Sequence, residues 1–389
     1  MFSTRRTFIR HSVAAVIAVR TKSQPLVEHP AWRLSSSSTS TQTSYGAAIY
    51  LDHNENAYGP SARVEAALNL SFRTKSNRYP REQYDDLRSR LARFHAVGKD
   101  QVLLGCGSSE ILQMAAATLI SAGRKGCLIQ ASPTYLAIGE RARAIGANVI
   151  EIPLTKTYGH DLDQMLKTAA RETSPGLIYI CNPNNPTGTL TDRFEIENIV
   201  TKLPQNFFVL IDEAYCHFVS PHSAYASFLD KPLNDPRVVV CRTFSKVYGL
   251  AGMRVGYAVG QPDMLKRLEA TCLRYGVATP SSIAALAALE DSDYIGAAIA
   301  RNADARQEFM NQTNIRMLRA INSHANFVML DPLRSAKMVI EHLKNHRVFV
   351  MPVVPPMDRY IRVSLGTPDD MREFWRAMDL LPPTGKMAM

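Results

Sequence analysis

The sequence predicts an α/β protein built on a mostly parallel sheet. Segments with helical spacing of apolar residues alternate with short apolar runs, several of them rich in β-branched residues. Such runs between helices are typical of parallel strands that are buried on both faces. With 389 residues, of which 46% are hydrophobic and 21% charged, the chain is long enough to bury a large core. We therefore expect a central sheet with helices on both faces.

The helical and strand patterns follow one another along the chain. LRSRLARFHAV (87–97) and SEILQMAAATLIS (109–121) have apolar residues at helical spacing, and the second begins with a Ser-Ser capping signal. Five apolar runs each predict one strand: GCLIQA, ANVIEIPL, GLIYIC, FFVLID and RVVVC. No internal repeat interrupts this alternation.

The first 46 residues differ in composition from the rest. They hold six Lys or Arg residues against one acidic residue, and STRRTFIRHSVAAVIAVR (3–20) resembles a twin-arginine export signal. The polar run SSSSTSTQTS (35–44) predicts a linker. We therefore expect an export signal and linker over residues 1–46, and a periplasmic or secreted protein. A mitochondrial presequence and a cytoplasmic protein are the alternatives.

Charge and cysteine usage exclude several classes of protein. The leader carries +5 (six minus one) of the net charge of +10, so +5 is spread over the remainder without a basic stripe. We therefore expect no nucleic-acid partner. No apolar run approaches the roughly 20 residues that span a bilayer, so no stable membrane anchor is expected. The six cysteines lack C-x-x-C spacing, which predicts buried free thiols and no metal site.

Polar residues stand where the apolar runs end, and the carboxyl ends of parallel strands are where α/β active sites gather. Asp212 closes FFVLID, and Tyr215 follows three residues later. A carboxylate at the end of an apolar strand requires a cation or a hydrogen-bond donor. A protonated pyridine nitrogen or an internal arginine would each meet this requirement.

Two further loops have the composition of a ligand site. CNPNNPTG (181–188) predicts an extended turn, in which the Asn185 amide could donate to a phenolic oxygen; a purely structural tight loop is the alternative. LLGCGSSE (103–110) places glycines and serines at the start of a helix, where free N–H groups suit a phosphate. This loop fits neither the P-loop nor the dinucleotide-binding pattern.

A single lysine lies in TFSKVYGLAGMRVGY (243–257), just after the run RVVVC. Thr243 and Ser245 flank it as hydroxyl donors, and Arg254 adds a second cation. A lysine among other cations has a depressed pKa, so its amine can attack a carbonyl. We therefore expect Lys246 to be a Schiff-base lysine.

Together these motifs resemble the fold-type I pyridoxal-phosphate aminotransferases, and most closely the histidinol-phosphate aminotransferase branch. The resemblance extends from YLDHNENAYGPS (50–61) to IRVSLGTPDD (361–370). It implies pyridoxal 5'-phosphate as cofactor, a homodimer, and ping-pong transfer of an amino group between an L-amino acid and a 2-oxo acid. It also implies a large cofactor-binding domain over 75–275 and a smaller α/β domain made of 47–74 and 276–389.

The resemblance implies a role for each motif residue around the cofactor. Lys246 would bind the cofactor covalently and transfer protons, and Asp212 would pair with its ring nitrogen. Tyr215 and Asn185 would bind its 3′-oxygen. The residues implied to hold its phosphate are Ser108, Ser109, Thr243, Ser245 and Arg254.

Further residues are implied to contact the ring, the partner subunit or the substrate. Tyr135 would stack on the cofactor ring, and Tyr79 would reach the phosphate of the other subunit's cofactor. Arg362 would clamp the substrate's α-carboxylate, a bidentate task that suits a guanidinium. Tyr58 and Asn326 would line the substrate mouth. Plain packing is the alternative for the three tyrosines.

One position departs from the histidinol-phosphate branch. There a Gly-Ile-x-Val-Arg segment supplies an arginine for the substrate phosphate, whereas HRVFVMP (346–352) places Met351 at that point. Methionine cannot neutralise a phosphate and adapts to apolar groups, so we expect an aromatic or other apolar amino acid as substrate. A decarboxylase or a β-eliminating lyase on the same fold is the alternative. The retention of Lys246, Asp212 and Arg362 argues against a non-catalytic binder of the cofactor.

Overall fold

A computed structural model describes residues 48–118, 126–220, 225–230, 235–352 and 354–382, and the structural statements below concern these residues. The leader expected over residues 1–46 lies outside them. None of the described helices is long and apolar enough to cross a membrane.

The described chain contains twelve β-strands. In chain order they are β1 (Ile49–Leu51), β2 (Val102–Cys106), β3 (Cys127–Ser132), β4 (Asn148–Pro153), β5 (Gly176–Cys181), β6 (Phe207–Asp212), β7 (Val238–Thr243), β8 (Val255–Gly260), β9 (Arg319–Ala320), β10 (Phe327–Asp331), β11 (Val348–Val350) and β12 (Ile361–Ser364).

Eleven α-helices accompany the strands in the same part of the chain. They are α1 (Ala62–Thr74), α2 (Glu82–Phe94), α3 (Ser108–Thr118), α4 (Ala137–Ala144), α5 (Leu162–Ala169), α6 (Arg193–Lys202), α7 (Pro262–Glu269), α8 (Thr279–Leu289), α9 (Ser292–Ile315), α10 (Ala336–Asn345) and α11 (Pro368–Asp379). Among the described residues, single-turn 3₁₀ helices span Lys99–Gln101, Cys216–Phe218 and Ala251–Met253.

Side-chain caps explain where many of these helices begin. Six helices start after a residue whose side-chain oxygen accepts a hydrogen bond from a free N–H group of the first turn, which stabilises a helix by about 1 kcal/mol. These caps are Ser61, Asp161, Asp192, Asp291, Ser335 and Thr367.

Seven strands form the central sheet in the order β2-β8-β7-β6-β5-β3-β4. Only β8 runs against the others, because its pairings with β2 and β7 are antiparallel while the remaining pairings are parallel. The five apolar runs all lie in this sheet as β3 to β7, so the prediction of a mostly parallel sheet is confirmed. The sequence analysis did not identify β2 and β8, two glycine-containing strands.

Both faces of the sheet are covered, as the alternation of side chains along β5 illustrates. Leu177 and Tyr179 belong to a buried cluster with residues of α3, α4 and α7. Ile178 and Ile180 point the opposite way, into a cluster with residues of α1, α2, α5, α6 and α8. The expected covering of both faces by helices is therefore confirmed, and polar side chains are left to gather at the strand ends.

The C-terminal part of the chain builds smaller sheets with their own core. An antiparallel sheet has the order β12-β10-β9, and β1 pairs in parallel with β11. Phe309 of α9 packs on Phe374 and Trp375 of α11, with ring centroids 6.0 and 5.0 Å away. The division into domains at residues 75 and 275 stays a prediction.

All six cysteines are free, but they divide into two groups by burial. Cys127, Cys181 and Cys241 lie in buried strands as expected. The expectation of burial is wrong for Cys106, Cys216 and Cys272, which lie in or next to loops and are partly exposed.

Candidate active site

A cavity of about 450 Å³ lies at the carboxyl ends of the parallel strands. Because β2, β3, β5, β6 and β7 all run in one direction, the residues that follow them converge on this edge of the sheet. Eleven of the fourteen predicted site residues line the cavity: Ser108, Ser109, Tyr135, Asn185, Asp212, Tyr215, Thr243, Ser245, Lys246, Arg254 and Arg362.

Lys246 projects into this cavity from the loop after β7. Its Nζ donates to the backbone oxygen of His53 at 3.1 Å and lies 5.6 Å from the centre of the Tyr215 ring. Burial, followed by the positive charge of Arg362, lowers the pKa of Lys246 from 10.5 to about 8. Desolvation is thus the larger cause of the lowered pKa, and the neighbouring cations expected from the sequence are the smaller one. Near neutral pH the neutral, nucleophilic form of the amine is therefore far more populated than in an ordinary lysine, although the protonated form still predominates.

This shift predicts the reactivity of the amine in the cofactor-free protein. Lys246 should react with an amine-acylating reagent with a half-maximal rate near pH 8, because it is protonated below that pH and neutral above it. Peptide mass spectrometry after brief labelling at several pH values measures the profile. Arg362→Met removes one cause of the shift and should raise the midpoint. A midpoint near 10.5 in the unmodified chain would contradict the described environment.

Asp212 ends β6 with its side chain buried beneath the cavity, only 2% exposed. Its oxygens accept from the Tyr179 hydroxyl at 2.9 Å and from the Ala214 N–H at 3.1 Å. Burial raises the pKa of this carboxyl, and the two hydrogen bonds oppose the rise. Among the described residues no Lys or Arg forms an ion pair with it, so the alternative of an internal arginine is wrong there. The carboxylate is therefore available to a cationic ligand.

An anion cradle lies at the other end of the cavity, at the start of α3. The Arg254 guanidinium lies 3.5 Å from the Ser109 hydroxyl and 3.4 Å from the Ser245 hydroxyl. Thr243 in turn donates to Ser245 at 2.9 Å. Gly107 suits this turn because its φ of +73° is one that other residues rarely adopt, and a Cβ there would displace the Arg254 guanidinium from the cradle. Hydroxyls, free helix N–H groups and a guanidinium make a donor set that fits a phosphate.

Arg362 on β12 faces the cavity from the side of the C-terminal sheets. Its two terminal nitrogens donate to the Asn185 side-chain oxygen at 2.7 Å and to the Asp52 backbone oxygen at 2.6 Å. Its buried Nε has no hydrogen-bond partner among the described residues. Burial lowers the pKa of this guanidinium, which is the cost of placing the charge inside the protein. A carboxylate ligand would offset that cost.

Three of the predicted site residues lie outside this cavity in the single chain. Tyr79 is 73% exposed and stacks on Tyr275 at 4.7 Å. Tyr58 lies against the guanidinium of Arg301, 4.3 Å from its ring centre. Asn326 is buried and donates to the backbone oxygen of Asn54 at 2.9 Å, so it holds a cavity-lining segment rather than lining the cavity.

The segment 53–55 is the part of the site that sequence reasoning missed. His53, Asn54 and Glu55 all line the cavity. The available signal was the polar cluster DHNEN directly after a short apolar stretch, from which only Tyr58, further along, was selected. Thr134, which also lines the cavity, offered no distinctive pattern.

An amine able to condense with an aldehyde, opposite an anion cradle and above a cation-free carboxylate, is the arrangement that pyridoxal phosphate requires, so the site is that of a pyridoxal-phosphate-dependent enzyme. The chain belongs to the aminotransferase class I and II family, whose model matches residues 47–378. Pyridoxal 5'-phosphate is accordingly its cofactor. The resemblance noted in the sequence is thereby confirmed at the level of family, fold and cofactor.

Two relatives and one solved structure show which members of this family the chain is similar to. The chain is 34% identical over 333 residues to a histidinol-phosphate aminotransferase of Caldicellulosiruptor saccharolyticus, covering 85% of this chain and 90% of that protein. It is 35% identical over 337 residues to histidinol-phosphate aminotransferase 1 of Idiomarina loihiensis, covering 86% and 89%. The structure of a Sinorhizobium meliloti histidinol-phosphate aminotransferase with pyridoxal-5'-phosphate superposes with a TM-score of 0.79 at 27% identity, covering 85% and 89%.

Proposed function

We propose that this aminotransferase moves an amino group between an aromatic or other apolar L-amino acid and a 2-oxo acid with ping-pong kinetics. The observation that carries the substrate proposal is Met351, which lines the cavity beside Arg362. The two residues are joined by a hydrogen bond from the Met351 N–H to the Arg362 backbone oxygen at 3.2 Å.

The described residues fit the cofactor, and their positions assign them separate tasks. When bound, pyridoxal phosphate supplies an aldehyde that captures amines and a ring that takes up electrons. The cradle around Arg254 would hold the phosphate, and Asp212 would hold a proton on the ring nitrogen. Tyr215, with Asn185 behind it, would donate to the ring oxygen.

Lys246 and Arg362 act on the substrate in this proposal. Arg362 binds the α-carboxylate through donors that are already aligned by Asn185 and Asp52. This fixes the substrate Cα relative to the Lys246 amine. With its lowered pKa the amine is able to remove the Cα proton and later return a proton, as a general base must.

The side chain of the substrate would meet apolar surface. The Lys and Arg residues among the lining side chains are Lys246, Arg254 and Arg362, and each already has a task in the proposed chemistry. The apolar side chains of Met351 and Val354 also line the cavity, and Met351 is bonded to the backbone of Arg362. A substrate phosphate would therefore find no free guanidinium among the described lining residues, because Arg254 would bind the cofactor phosphate and Arg362 the α-carboxylate of the substrate.

Histidinol phosphate is the second candidate substrate, because the relatives described above carry that activity in their names. Initial rates with phenylalanine, tyrosine, leucine and histidinol phosphate, each with 2-oxoglutarate, distinguish the two. A higher kcat/KM for histidinol phosphate than for the apolar amino acids would overturn the apolar proposal. Release of CO2, or of pyruvate with a thiol, would instead indicate the decarboxylase or lyase alternative.

Met351→Arg should change the substrate preference. A charge-assisted hydrogen bond stabilises a complex by about 1.5–3 kcal/mol, so kcat/KM for histidinol phosphate should rise about 10- to 100-fold. The value for phenylalanine should fall, because a buried cation replaces an apolar contact. Met351→Leu keeps the volume and is the matched control, with little expected change. Equal effects of both variants on histidinol phosphate would refute the assignment of Met351.

We also propose a homodimer in which Tyr79 reaches the partner's cofactor, which is supported by its exposed position at 73% accessibility. Sedimentation analysis tests the dimer, and a loss of cofactor affinity in Tyr79→Phe tests the contact.

Export by the twin-arginine route is proposed from residues 1–46 alone. Cell fractionation of the chain with and without Arg5 and Arg6 changed to Lys tests it.

A further inference from the structure

Asn54 lies directly behind the phenol of Tyr215, in the segment that sequence reasoning missed. The Asn54 side chain is 1% exposed, and its Nδ2 donates to the Tyr215 oxygen at 3.1 Å. Its other polar groups are also fixed. The Asn54 N–H donates to the Ser364 hydroxyl at 2.8 Å, and that hydroxyl donates to Asn54 Oδ1 at 3.1 Å. Its backbone oxygen accepts from Asn326.

A second amide also donates to this phenol. Asn185 Nδ2 donates to the Tyr215 oxygen at 3.3 Å. Its orientation is fixed because Asn185 Oδ1 accepts from Arg362 at 2.7 Å, and a guanidinium can only donate. The phenol oxygen therefore receives two donated hydrogen bonds, one from each asparagine.

These two bonds determine what the phenol can still do. A tyrosine hydroxyl has one proton and room for two accepted hydrogen bonds, and both accepting positions are taken. Among the described residues no hydrogen bond uses the Tyr215 proton, and Tyr215 lines the cavity. The remaining direction for that proton is the cavity itself.

We infer that Asn54 is a positioning residue that, together with Asn185, commits Tyr215 to donate its proton into the cavity, toward an anionic aromatic oxygen of the ligand. The inference rests on the proposed place of the cofactor ring beside Tyr215. Ser364 contacts the Asn54 amide directly, whereas Arg362 contacts this segment through the Asp52 backbone oxygen and makes no bond to the amide itself. Asn54 thus keeps the phenol committed when a substrate carboxylate competes with Asn185 for Arg362.

The direction of the Asn54 hydrogen bond gives a sharp test. Asn54→Asp has the same shape but replaces the donor by an acceptor, which would capture the Tyr215 proton. Asn54→Ala removes the donor and leaves the phenol free to donate into the cavity. A merely structural role predicts the reverse order, since aspartate preserves the packing and the bonds to Ser364, whereas alanine does not.

The readout is the pH midpoint at which the visible absorbance of the cofactor-loaded protein titrates. A hydrogen-bond donor held against the anionic ring oxygen of the cofactor stabilises the anion. Loss of this donor therefore raises the pKa of the cofactor group that is conjugated with that oxygen. In Asn54→Asp the midpoint should rise by about 1 pH unit, and cofactor affinity should fall about 10-fold. Asn54→Ala should show smaller changes in both. A shift in Asn54→Ala that equals or exceeds that in Asn54→Asp would overturn the inference.

Tyr215→Phe separates the phenol from the added charge of the aspartate. In a Tyr215→Phe background the difference between the two Asn54 variants should disappear, because there is no proton left to capture. Persistence of the full difference would show an effect of charge alone and would overturn the inference. A chain that takes up no pyridoxal phosphate would overturn the proposed site itself. A loaded chain with the reversed order would overturn only the role of Asn54.

Discussion

Replacing Lys246 by alanine is expected to lower kcat by about 10⁴-fold, the upper range for loss of a general base. Among the described residues no other lysine lines the cavity; His53 and Glu55 also line it, but neither an imidazole nor a carboxylate can replace the amine that binds the cofactor covalently. Stopped-flow and steady-state rates with the preferred amino acid measure the loss. Borohydride should fix cofactor to Lys246 in the unmodified chain and to no residue of the variant.

Two controls accompany this variant. Lys266→Ala changes a lysine of α7 outside the cavity and should leave the rates unchanged. Small primary amines added to Lys246→Ala should restore part of the turnover, because they return a base to the space that the side chain vacated. Turnover of the alanine variant within about tenfold of the unmodified chain would exclude Lys246 as the base.

Asp212→Asn is the second variant with a large expected effect. It preserves the shape of the side chain but removes the carboxylate proposed to face the ring nitrogen, and loss of one partner of a buried ion pair costs about 3–5 kcal/mol. We therefore expect kcat to fall by about 10²- to 10⁴-fold. Asp212→Glu is the matched control that keeps the charge, and it should retain more activity. Equal activity of Asn and Glu variants would contradict a role for the charge.

The same substitution should stabilise the cofactor-free protein. Because burial raises the folded-state pKa of Asp212 above its ordinary value of 3.8, ionising it costs folding free energy. The cost is absent below pH 3.8, grows as the pH rises toward the folded-state pKa, and is fully present above it. At pH 7 the free energy of unfolding of Asp212→Asn should therefore be higher by about 1.4 kcal/mol for each unit of the pKa shift. The variant should accordingly unfold at a higher denaturant concentration. An unchanged or lowered midpoint would contradict the burial described.

The sheet could be predicted from the sequence because strands buried on both faces must be apolar throughout. The strands β2 and β8 escaped this rule, since Gly105 and Gly256 break their apolar runs. Gly256 is nonetheless required, because a Cβ there would overlap the backbone of Ser108. Close backbone approach of this kind depends on tertiary structure and leaves no periodic signal.

The site was predictable where a residue follows its strand directly, and less so elsewhere. Asp212 and Lys246 stand at or just after apolar runs, so the geometry of a parallel sheet brings them together. Asn54 reaches the site through pairing of β1 with β11, across about 300 residues of chain. Tyr58 and Asn326 line a separate, smaller pocket next to the cavity. The direction in which a loop turns its side chains depends on tertiary contacts, so a single sequence does not reveal this difference.

Residues near the C-terminal end hold the N-terminal wall of the site. β1 pairs with β11, and Arg362 donates to the Asp52 backbone oxygen. This arrangement has a consequence for biosynthesis. The wall that carries Asn54 cannot close until the segment around residue 362 has left the ribosome, when nearly the whole polypeptide has been translated. A chain that ends before β12 would lack this wall, so we expect such truncated products to retain the vitamin-derived ligand less tightly than the full chain.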